Sequence, residues 1–322
     1  MAGTGTVLAA LKGWAESSEL GDRLLGPLAA ARERRAWRRM GSPPERIVRA
    51  YKAVFGVEPR LEAPVTLNEK LQASKLRPAT ATMTASADKL AVREIVAKTC
   101  SAKLLVPLLG VWKRARDVDF AALPEAFVLK DNHTSGDVLV VRDKASLDIG
   151  RTRATMARWL RRDYYLQSLE PQYRSISRRI LAEAFLGGAG TGGAVPEDYK
   201  FHCFGGKPVA VQVDLGRETR HLRNFYSADA DWRLLPFVWS EKAADGTPLW
   251  PNGPAVARPA ALDEMLDVAG RLAAPWPYVR VDLYFVGGHV YFGELTFHHG
   301  GGFETFWPAA MDEAWGRLVP EP

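Results

Sequence analysis

Two carboxylates stand inside strand-like sequence near the C-terminal end of this 322-residue chain. The range 280–297 alternates β-branched and aromatic residues on either side of a glycine turn, a pattern typical of a β-hairpin. Asp282 and Glu294 lie where a plain hairpin carries neutral side chains, and Arg280 and Thr296 accompany them. Carboxylate oxygens are ligands that Mg²⁺ prefers. The stretch therefore predicts either a metal site or a solvent-facing hairpin with incidental acids.

The length of the turn decides whether the two acids share a face. With a two-residue turn, Gly287-Gly288, Asp282 and Glu294 lie on opposite faces because strand side chains alternate. With a three-residue loop that adds His289, Asp282 pairs with Glu294, and the flanking arginine pairs with the threonine. Like charges directly opposite each other destabilise a sheet unless a cation lies between them. We predict the three-residue loop and the shared face.

A lysine and a polar loop further upstream suit a polyphosphate. The ranges 127–130 and 138–141 predict a hairpin whose crest, 131–137, is small, polar and flexible. Lys130 supplies a point charge, and a Ser135-Gly136 tip offers backbone amides to phosphate oxygens. The sequence is not a P-loop, because no Gly-Lys-Ser/Thr opens a helix here. A strand lysine at the sheet edge, without a ligand, is the alternative.

Two further stretches suit an anionic substrate. The range 220–226 is basic and aromatic, and its alternative is ordinary loop packing. The range 199–214 predicts another hairpin, in which a three-residue turn, 205–207, places Lys200 opposite Gln212. His202 is then expected on the same face as that lysine.

Charge and cysteine usage narrow the class of protein. The net charge of +6 and the pI near 9.3 suit a nucleotide, an anionic glycan or a nucleic acid. Cys100 and Cys203 are too few for a zinc cluster or a disulfide framework. His298-His299 with Glu304 does not favour zinc, because adjacent residues on a strand cannot both face one ion. No apolar run has membrane-spanning length and no secretory pattern opens the chain, so we expect a cytoplasmic protein.

The remaining sequence predicts the elements that position these groups. The first 77 residues are helical in pattern, with capping boxes at 42–45 and 66–69. The range 78–87 is low in complexity and predicts a linker or mobile loop. The range 88–90 then opens a helix, and 104–111 predicts a short buried strand or pair of strands.

The C-terminal two thirds of the chain also predict both helices and strands. A basic helix over 151–162 is expected to pack on the hairpin predicted at 127–141. The range 179–186 predicts a strand that runs into a glycine-rich hinge at 187–193. A long surface loop is expected at 240–260, followed by an amphipathic helix at 262–273.

These pieces together resemble the ATP-grasp superfamily, and most closely its TupA-like family, which is named for teichuronopeptide synthesis. The resemblance covers roughly residues 64–308. The motifs that carry it are Leu67-Asn68-Glu69-Lys70, Asp88-Lys89 with Arg93, Phe127-Val128-Leu129-Lys130 with Asn132-His133 and Ser135-Gly136, Asp198-Tyr199-Lys200-Phe201, Arg223-Asn224-Phe225-Tyr226, and Arg280-Val281-Asp282 with Phe292-Gly293-Glu294-Leu295-Thr296.

The resemblance implies an α+β fold in which two subdomains clasp ATP, preceded by a helical N-terminal region. The implied domains are a helical region at 1–85, an N-terminal part of the core at 86–126, a lid at 127–186 and a C-terminal subdomain with the Mg²⁺ site at 187–322. Many ATP-grasp enzymes begin instead with a Rossmann-like domain.

The resemblance also implies residue roles. The implied nucleotide contacts are Lys89, Lys130, Ser135 and Gly136 at the phosphates and Glu183, Ala184, Phe185 and Leu186 at the adenine. The implied metal ligands are Asp282, Glu294 and Thr296, and the implied catalytic residues are Arg280, Lys200 and Arg223. Many superfamily members carry asparagine where Thr296 stands, and a hydroxyl is a weaker ligand, although the TupA-like pattern accepts threonine there.

The activity implied is an ATP-dependent ligase that joins a carboxylate to an amine through an acyl phosphate. The acid is expected to be a glycan uronic acid or a small peptide-like metabolite, and no nucleic-acid partner is expected. Two alternatives are a kinase that phosphorylates a hydroxyl and an anion-binding module without catalysis. The sequence leaves monomer and homodimer equally open.

Overall fold

The structure, a computed structural model, describes residues 18–187, 198–216 and 220–320. They divide into two compact units. The first unit contains the described residues of 1–41, 88–90 and 106–185. The second contains those of 42–87, 91–105 and 186–322. The predicted functional boundaries at residues 85, 126 and 186 stay a prediction.

Helices and strands alternate along the described chain. The helices are α1 (Glu19–Arg38), α2 (Pro43–Phe55), α3 (Leu67–Lys75), α4 (Ala81–Ala87), α5 (Val92–Thr99), α6 (Ile149–Arg161), α7 (Tyr164–Ser168), α8 (Leu262–Ala273) and α9 (Ala310–Gly316). The strands are β1 (Leu108–Trp112), β2 (Phe127–Asp131), β3 (Val138–Val141), β4 (Ile180–Ala184), β5 (Asp198–Phe204), β6 (Lys207–Leu215), β7 (Leu222–Ser227), β8 (Val238–Ser240), β9 (Tyr278–Val286), β10 (His289–Thr296) and β11 (Thr305–Trp307).

The first unit is built on a four-stranded antiparallel sheet in the order β1-β4-β2-β3. Helix α6 covers one face, where Met156 and Trp159 pack against Phe127 and Leu129. Helix α1 packs on α6 and is tied to it by an ion pair between Asp22 and Arg161. The predicted hairpin, the basic helix and the strand over 179–186 are confirmed, since each apolar face has a partner to bury against.

The second unit is built on a five-stranded antiparallel sheet in the order β10-β9-β5-β6-β7. The helix predicted at 262–273 is confirmed as α8, and it packs against β5, β6 and β9. An aromatic core that includes Phe225, Trp239, Phe306 and Trp315 packs around His202 and the two-stranded sheet β11-β8. Aromatic rings bury a large apolar area each.

Both predicted capping boxes are present. Ser42 donates its backbone N–H to Glu45 at the start of α2. At the start of α3, Thr66 and Glu69 exchange bonds: the backbone N–H of Glu69 donates to Oγ1, and that of Thr66 donates to Oε2. Each satisfies a backbone donor that a helix N-terminus leaves without a partner. The helical prediction for the N-terminal part is confirmed over the described residues from 18.

Three local predictions are wrong. The range 78–87 is not a linker, because its alanines and methionine form helix α4, with Ser86 and Ala87 buried. The helix expected to open at 88–90 begins at Val92 instead, and Asp88 closes a turn by accepting from the backbone N–H of Leu90. The strand within 104–111 is not buried, since β1 is a sheet edge that alternates between half-buried and exposed residues.

In the residues described, no helix is long and apolar enough to cross a membrane. Both cysteines are free thiols: Cys203 is buried and Cys100 half-buried. Most of the glycine-rich hinge predicted at 187–193 lies outside the described residues.

Candidate functional site

The hairpin β9-β10 closes with a two-residue turn, so the predicted three-residue loop is wrong. Val286 pairs directly with His289 across Gly287-Gly288. Both glycines have positive φ, 58° and 79°, which is what a tight primed turn requires. This turn matches the right-handed twist of the strands better than a type I or II turn would.

Asp282 nevertheless pairs with Glu294, as predicted, because β10 contains a bulge. The register shifts by one residue between Phe292 and Glu294, which leaves Gly293 without a direct partner on β9. A Cβ at Gly293 would lie 3.0 Å from the carbonyl oxygen of Asp282 and 3.1 Å from the ring of Tyr284. Glycine therefore permits the close backbone approach that the bulge needs.

The hairpin β5-β6 repeats this arrangement. Gly205-Gly206 form a two-residue turn, not the predicted three-residue one, since Phe204 pairs with Lys207. A register shift between His202 and Cys203 then restores the predicted pairing of Lys200 with Gln212.

Three side-chain oxygens of this face converge on one nitrogen. Nη2 of Arg280 lies 2.6 Å from Oδ2 of Asp282, 3.2 Å from Oε1 of Glu294 and 3.0 Å from Oγ1 of Thr296. The second oxygen of Asp282 accepts from Nε of Arg280 at 2.7 Å, so the pair is bidentate. The two acids predicted to share a face do so, and the cation between them is a guanidinium.

Burial shapes the electrostatics of this oxygen triad, which we define as Asp282, Glu294 and Thr296. Burial raises the pKa of Asp282 to about 6, even though the charge of Arg280 opposes that change. Burial would lower the pKa of Arg280, but Asp282 and Glu294 raise it above its ordinary value. The arginine therefore stays charged, while the carboxylate titrates close to neutrality.

Arg280 is held on its other side by a histidine. Nη1 of Arg280 donates to Nδ1 of His299 at 2.6 Å, because a guanidinium can only donate. Nε2 of His299 must then carry the ring hydrogen, which it donates to Glu304 at 2.9 Å. Burial lowers the pKa of His299 to about 4, so the ring is neutral in the native protein.

Glu304 links this arginine to a second one. Its Oε2 accepts from Nη1 of Arg223 at 2.8 Å, and Nε of Arg223 donates to Asp214 at 2.8 Å. Burial alone would raise the pKa of Glu304, but His299 and Arg223 lower it to about 2. The range 220–226, predicted to receive an anion, thus contributes a buried arginine whose nearest anions are two carboxylates of the protein itself.

Lys200 ends the chain of charges. Its Nζ lies 3.0 Å from Oδ2 of Asp214 and forms a short ion pair with Asp198. Burial would raise the pKa of Asp214, but His221, Arg223 and Lys200 hold it far below its usual range. Lys200 and Asp282 are also direct neighbours across β5 and β9, so the chain closes on the oxygen triad.

The described charge network links carboxylates and cations of the second unit. Its acids include Asp198, Asp214, Asp282, Glu294 and Glu304, and its cations include Lys200, Arg223 and Arg280. Although no cluster of three His, Cys, Asp or Glu suited to a metal is present in the described ranges, two carboxylates and a hydroxyl already surround one positive point. The oxygen triad therefore fits a hard cation such as Mg²⁺.

The first unit holds the predicted phosphate-binding lysines. Nζ of Lys130 lies 2.5 Å from Oε2 of Glu183, across neighbouring strands β2 and β4. Nζ of Lys89 donates to the carbonyl oxygen of Thr134 and lies 3.6 Å from Oδ1 of Asp131. Lys89 lies on the turn before α5, not on a helix as predicted. Each lysine thus reaches a carboxylate inside its own unit.

The predicted phosphate loop has a fixed base and an exposed tip. Asn132 accepts from the backbone N–H of Arg179 at 2.6 Å and donates to Asp88 at 2.8 Å. Asp137, at the other end, accepts from Nη1 of Arg162 through both of its carboxylate oxygens, at 2.8 and 2.7 Å. Ser135 and Gly136 are exposed between these anchors, and Gly136 has a φ of 92°. The exposed Ser135-Gly136 segment therefore lies between two hydrogen-bonded residues, Asn132 and Asp137.

The predicted adenine residues lie at the end of β4. Glu183 is buried, and the backbone N–H of Ala184 donates to the carbonyl oxygen of Pro107 at 2.9 Å. The guanidinium of Arg142 lies 5.8 Å from the ring centre of Phe185. The first unit ends at Phe185, and Leu186 belongs to the second.

Sequence reasoning missed three residues of the charge network, namely Asp214, His299 and Glu304. Asp214 follows Gln212 at strand spacing, so its face could have been read from the hairpin. His299 and Glu304 were considered only for zinc. Nothing in the sequence connects Glu304 to Arg223, which precedes it by 81 residues.

A family model described as TupA-like ATPgrasp matches residues 69–319, well over half of the chain. None of the curated proteins compared matches the chain. Among solved structures, a D-alanine–D-alanine ligase from Bacillus anthracis is 17% identical, with 66% of this chain and 57% of that chain covered and a TM-score of 0.35.

Two further structures overlap to a similar extent. An ATP-grasp ligase, PsnB, complexed with minimal precursor, Mg and ADP is 12% identical over 71% of this chain and 57% of that one, with a TM-score of 0.38. A D-alanine–D-alanine ligase from Helicobacter pylori is 13% identical over 73% and 61%, with a TM-score of 0.34. The chain spans little more than half the length of these proteins.

Proposed function

Because the chain belongs to the TupA-like ATP-grasp family, we propose that it is an ATP-dependent carboxylate–amine ligase. The observation that supports this most directly is the oxygen triad around Nη2 of Arg280. A site with two carboxylates, a hydroxyl and an arginine beside them suits the metal-bound phosphates of a nucleotide. The proposed cofactors are ATP and Mg²⁺.

Moving a phosphoryl group onto a carboxylate brings two anions together, so positive charge must be supplied at both. Lys89 and Lys130 are proposed to leave Asp131 and Glu183 and contact the phosphates, with the amides of Ser135 and Gly136. The hydrogen bonds of Asn132 and Asp137 keep the Ser135-Gly136 segment in place. Each lysine exchanges one anionic partner for another, and the buried carboxylate of Asp131 keeps the two bonds that it accepts from Thr134.

Asp282, Glu294 and Thr296 are proposed to hold the Mg²⁺, which would neutralise charge that develops on the phosphate oxygens. Arg280 would then turn from the triad towards the transferred phosphoryl, with His299 keeping Nη1 oriented. Lys200 and Arg223 are proposed to orient the acid substrate. Each already contacts two carboxylates of the protein, which supports a role in binding such a group.

The proposed reaction has two steps. The acid attacks the γ-phosphorus and releases ADP, which forms an acyl phosphate. An amine then attacks the acyl carbon, phosphate leaves, and the amine gives up a proton to form the amide. We propose a glycan uronic acid or a small peptide-like metabolite as the acid, and an amino acid or similar amine as the partner.

Release of ADP tests this proposal. Purified protein is incubated with ATP, Mg²⁺ and panels of acids and amines, including uronic acids and amino acids. We expect ADP and phosphate to appear in equal amounts, together with an amide, for at least one pair. A stable phosphate ester without free phosphate would show a kinase instead. No ADP with any pair, and no thermal shift with ATP, would refute both.

Three variants test the roles proposed for the metal ligands and for the phosphate-binding lysine. Asp282→Asn and Glu294→Gln are expected to abolish turnover, and Lys130→Met to raise the KM for ATP at least about tenfold, since a direct phosphate contact is lost. Lys144→Met is the matched control, because Lys144 donates to the carbonyl oxygen of Leu123 outside the proposed site. Normal turnover in Asp282→Asn would contradict the metal assignment.

A further inference from the structure

The second unit contains a cavity of about 700 Å³ outside the residues proposed for ATP and the metal. It is bounded by helix α3, the segment that leads into α4, the start of β9 and the end of β10. It opens to solvent, since Ala63, Arg77 and Pro78 in its wall are exposed. A cavity of this size lies in the range of pockets that hold small organic ligands.

The wall of the cavity is mostly apolar. Leu71 and Met83 line one side, and Trp276, Pro277 and Phe297 line the other. The rings of Trp276 and Phe297 meet edge to face, with centres 4.8 Å apart. Filling such a wall with water is unfavourable, whereas a flat apolar group packs well against rings and prolines.

The charged side chains in the wall are all basic. None of the nineteen lining residues is Asp or Glu, whereas Lys70 and Arg77 both contribute. Nζ of Lys70 donates to the carbonyl oxygen of Val319 at 3.3 Å, which leaves two of its three hydrogens for another acceptor. Within the described ranges, Arg77 has neither a side-chain hydrogen bond nor an ion pair. Lys70 and Arg77 therefore place two positive charges beside an apolar wall, where they are available to an anion.

The other polar side chains of the wall already have partners. Nε2 of His298 lies 3.0 Å from Oγ of Ser74, and the hydroxyl of Tyr278 lies 3.0 Å from Nδ1 of His202. Oγ1 of Thr80 accepts from the backbone N–H of Met83. A ligand thus meets apolar surface and positive charge, but few other groups to bond.

We propose that this cavity binds an amphipathic carboxylate, with its aromatic body against Trp276 and Phe297 and its carboxylate at Lys70 and Arg77. Because no proposed nucleotide or metal residue lines the cavity, the site is separate from the proposed catalytic one. Its occupation neither requires nor excludes ATP.

Calorimetric titration of the full chain with 1-naphthylacetate tests the proposal, with 1-naphthylacetamide as a neutral probe of the same shape. The carboxylate is expected to bind about tenfold more tightly than the amide, since it gains two partly exposed ion pairs. Saturating ATP and Mg²⁺ should not displace it. Equal affinity for the two probes, displacement by ATP, or no binding would overturn the proposal.

Variants then locate the probe. Lys70→Gln and Arg77→Gln are each expected to weaken carboxylate binding about threefold while leaving the amide unchanged. Ala63→Trp, which fills part of the cavity, should weaken both probes. Arg116→Gln, an exposed arginine of the first unit, is the control and should change neither. If the two cation variants bind as the wild type does, the carboxylate lies elsewhere and the assignment is wrong.

Discussion

Arg280→Met separates the structural role of the arginine from the proposed metal-binding role of its partners. The arginine makes a bidentate pair with Asp282 and further bonds to Glu294, Thr296 and His299. Methionine keeps much of the apolar stem but removes every one of these donors. The side chain of Asp282 is then buried, only 5% exposed, without its strongest counter-charge.

The expected cost follows from that burial. Removing one partner of a buried ion pair typically destabilises a protein by about 3–5 kcal/mol, because the other charge is left without compensation. We therefore expect urea denaturation of Arg280→Met to show a loss of about this size in the second unit. In Arg280→Met/Asp282→Asn the orphaned charge is also gone, so more than half of the lost stability should return.

The effect of Mg²⁺ on stability should differ between the wild type, Arg280→Met and the double variant. In the wild type the ion must displace Arg280 from the oxygen triad, whereas in Arg280→Met it only has to enter. Mg²⁺ without nucleotide is thus expected to raise the stability of Arg280→Met more than that of the wild type, and to leave the double variant nearly unchanged. The assay is run at about pH 8, above the pKa of about 6 that Asp282 has in the wild type, and is repeated at higher pH for Arg280→Met, because losing the arginine charge raises the pKa of Asp282 further.

Two outcomes would refute this reasoning. A loss below about 1 kcal/mol in Arg280→Met would mean that the arginine does not compensate a buried charge. An equal Mg²⁺ effect in the single and double variants would mean that Asp282 does not take part in binding the ion.

Two other positions give predictions of stability. Gly293→Ala is expected to cost about 1–3 kcal/mol, because its Cβ meets the backbone of Asp282 at 3.0 Å, whereas Gly270→Ala, with only ordinary contacts on α8, should be neutral or stabilising. Urea midpoints compare them, and equal values would exclude a tight bulge. Burial and the charge of Arg178 lower the pKa of His133 to about 4, so the folded protein resists protonation and its stability falls as pH drops from the unfolded value near 6.5 towards 4. Relative to His133→Gln, the wild type should lose about 2 kcal/mol between about pH 8 and pH 5, and parallel pH profiles would contradict this.

The elements that were predictable are those that local chemistry determines. The caps before α2 and α3 need only the side chains of their own first turn, and α8 needs only its apolar stripe. The range 78–87 misled because composition alone cannot show burial. Its threonines and serine resemble a linker, but Ser86 and Ala87 are buried in the folded chain.

The charge network was only partly predictable, because its links span distant sequence. Arg280 and Asp282 are neighbours on one strand, so alternation brings them to one face. Arg223 meets Glu304 only after β7 and the segment that follows β10 have both folded. His299 was judged as a strand residue, yet it begins a tight turn in which Gly300 and Gly301 have positive φ, 55° and 61°, and its ring contacts Arg280.

The shared face of Asp282 and Glu294 was predicted from a wrong loop, and the reason is parity. Strand side chains alternate between the two faces of a sheet. Whether two residues share a face therefore depends on whether the number of unpaired residues between them is odd or even, and not on where those residues lie. A two-residue turn followed by a one-residue bulge gives the same register beyond the bulge as a three-residue loop. The hairpin that carries Lys200 combines the same two devices. Because β5 and β9 are neighbours, Lys200 lies opposite Asp282, which in turn pairs with Glu294, so the residues proposed to meet a substrate anion and a metal lie on adjacent strands.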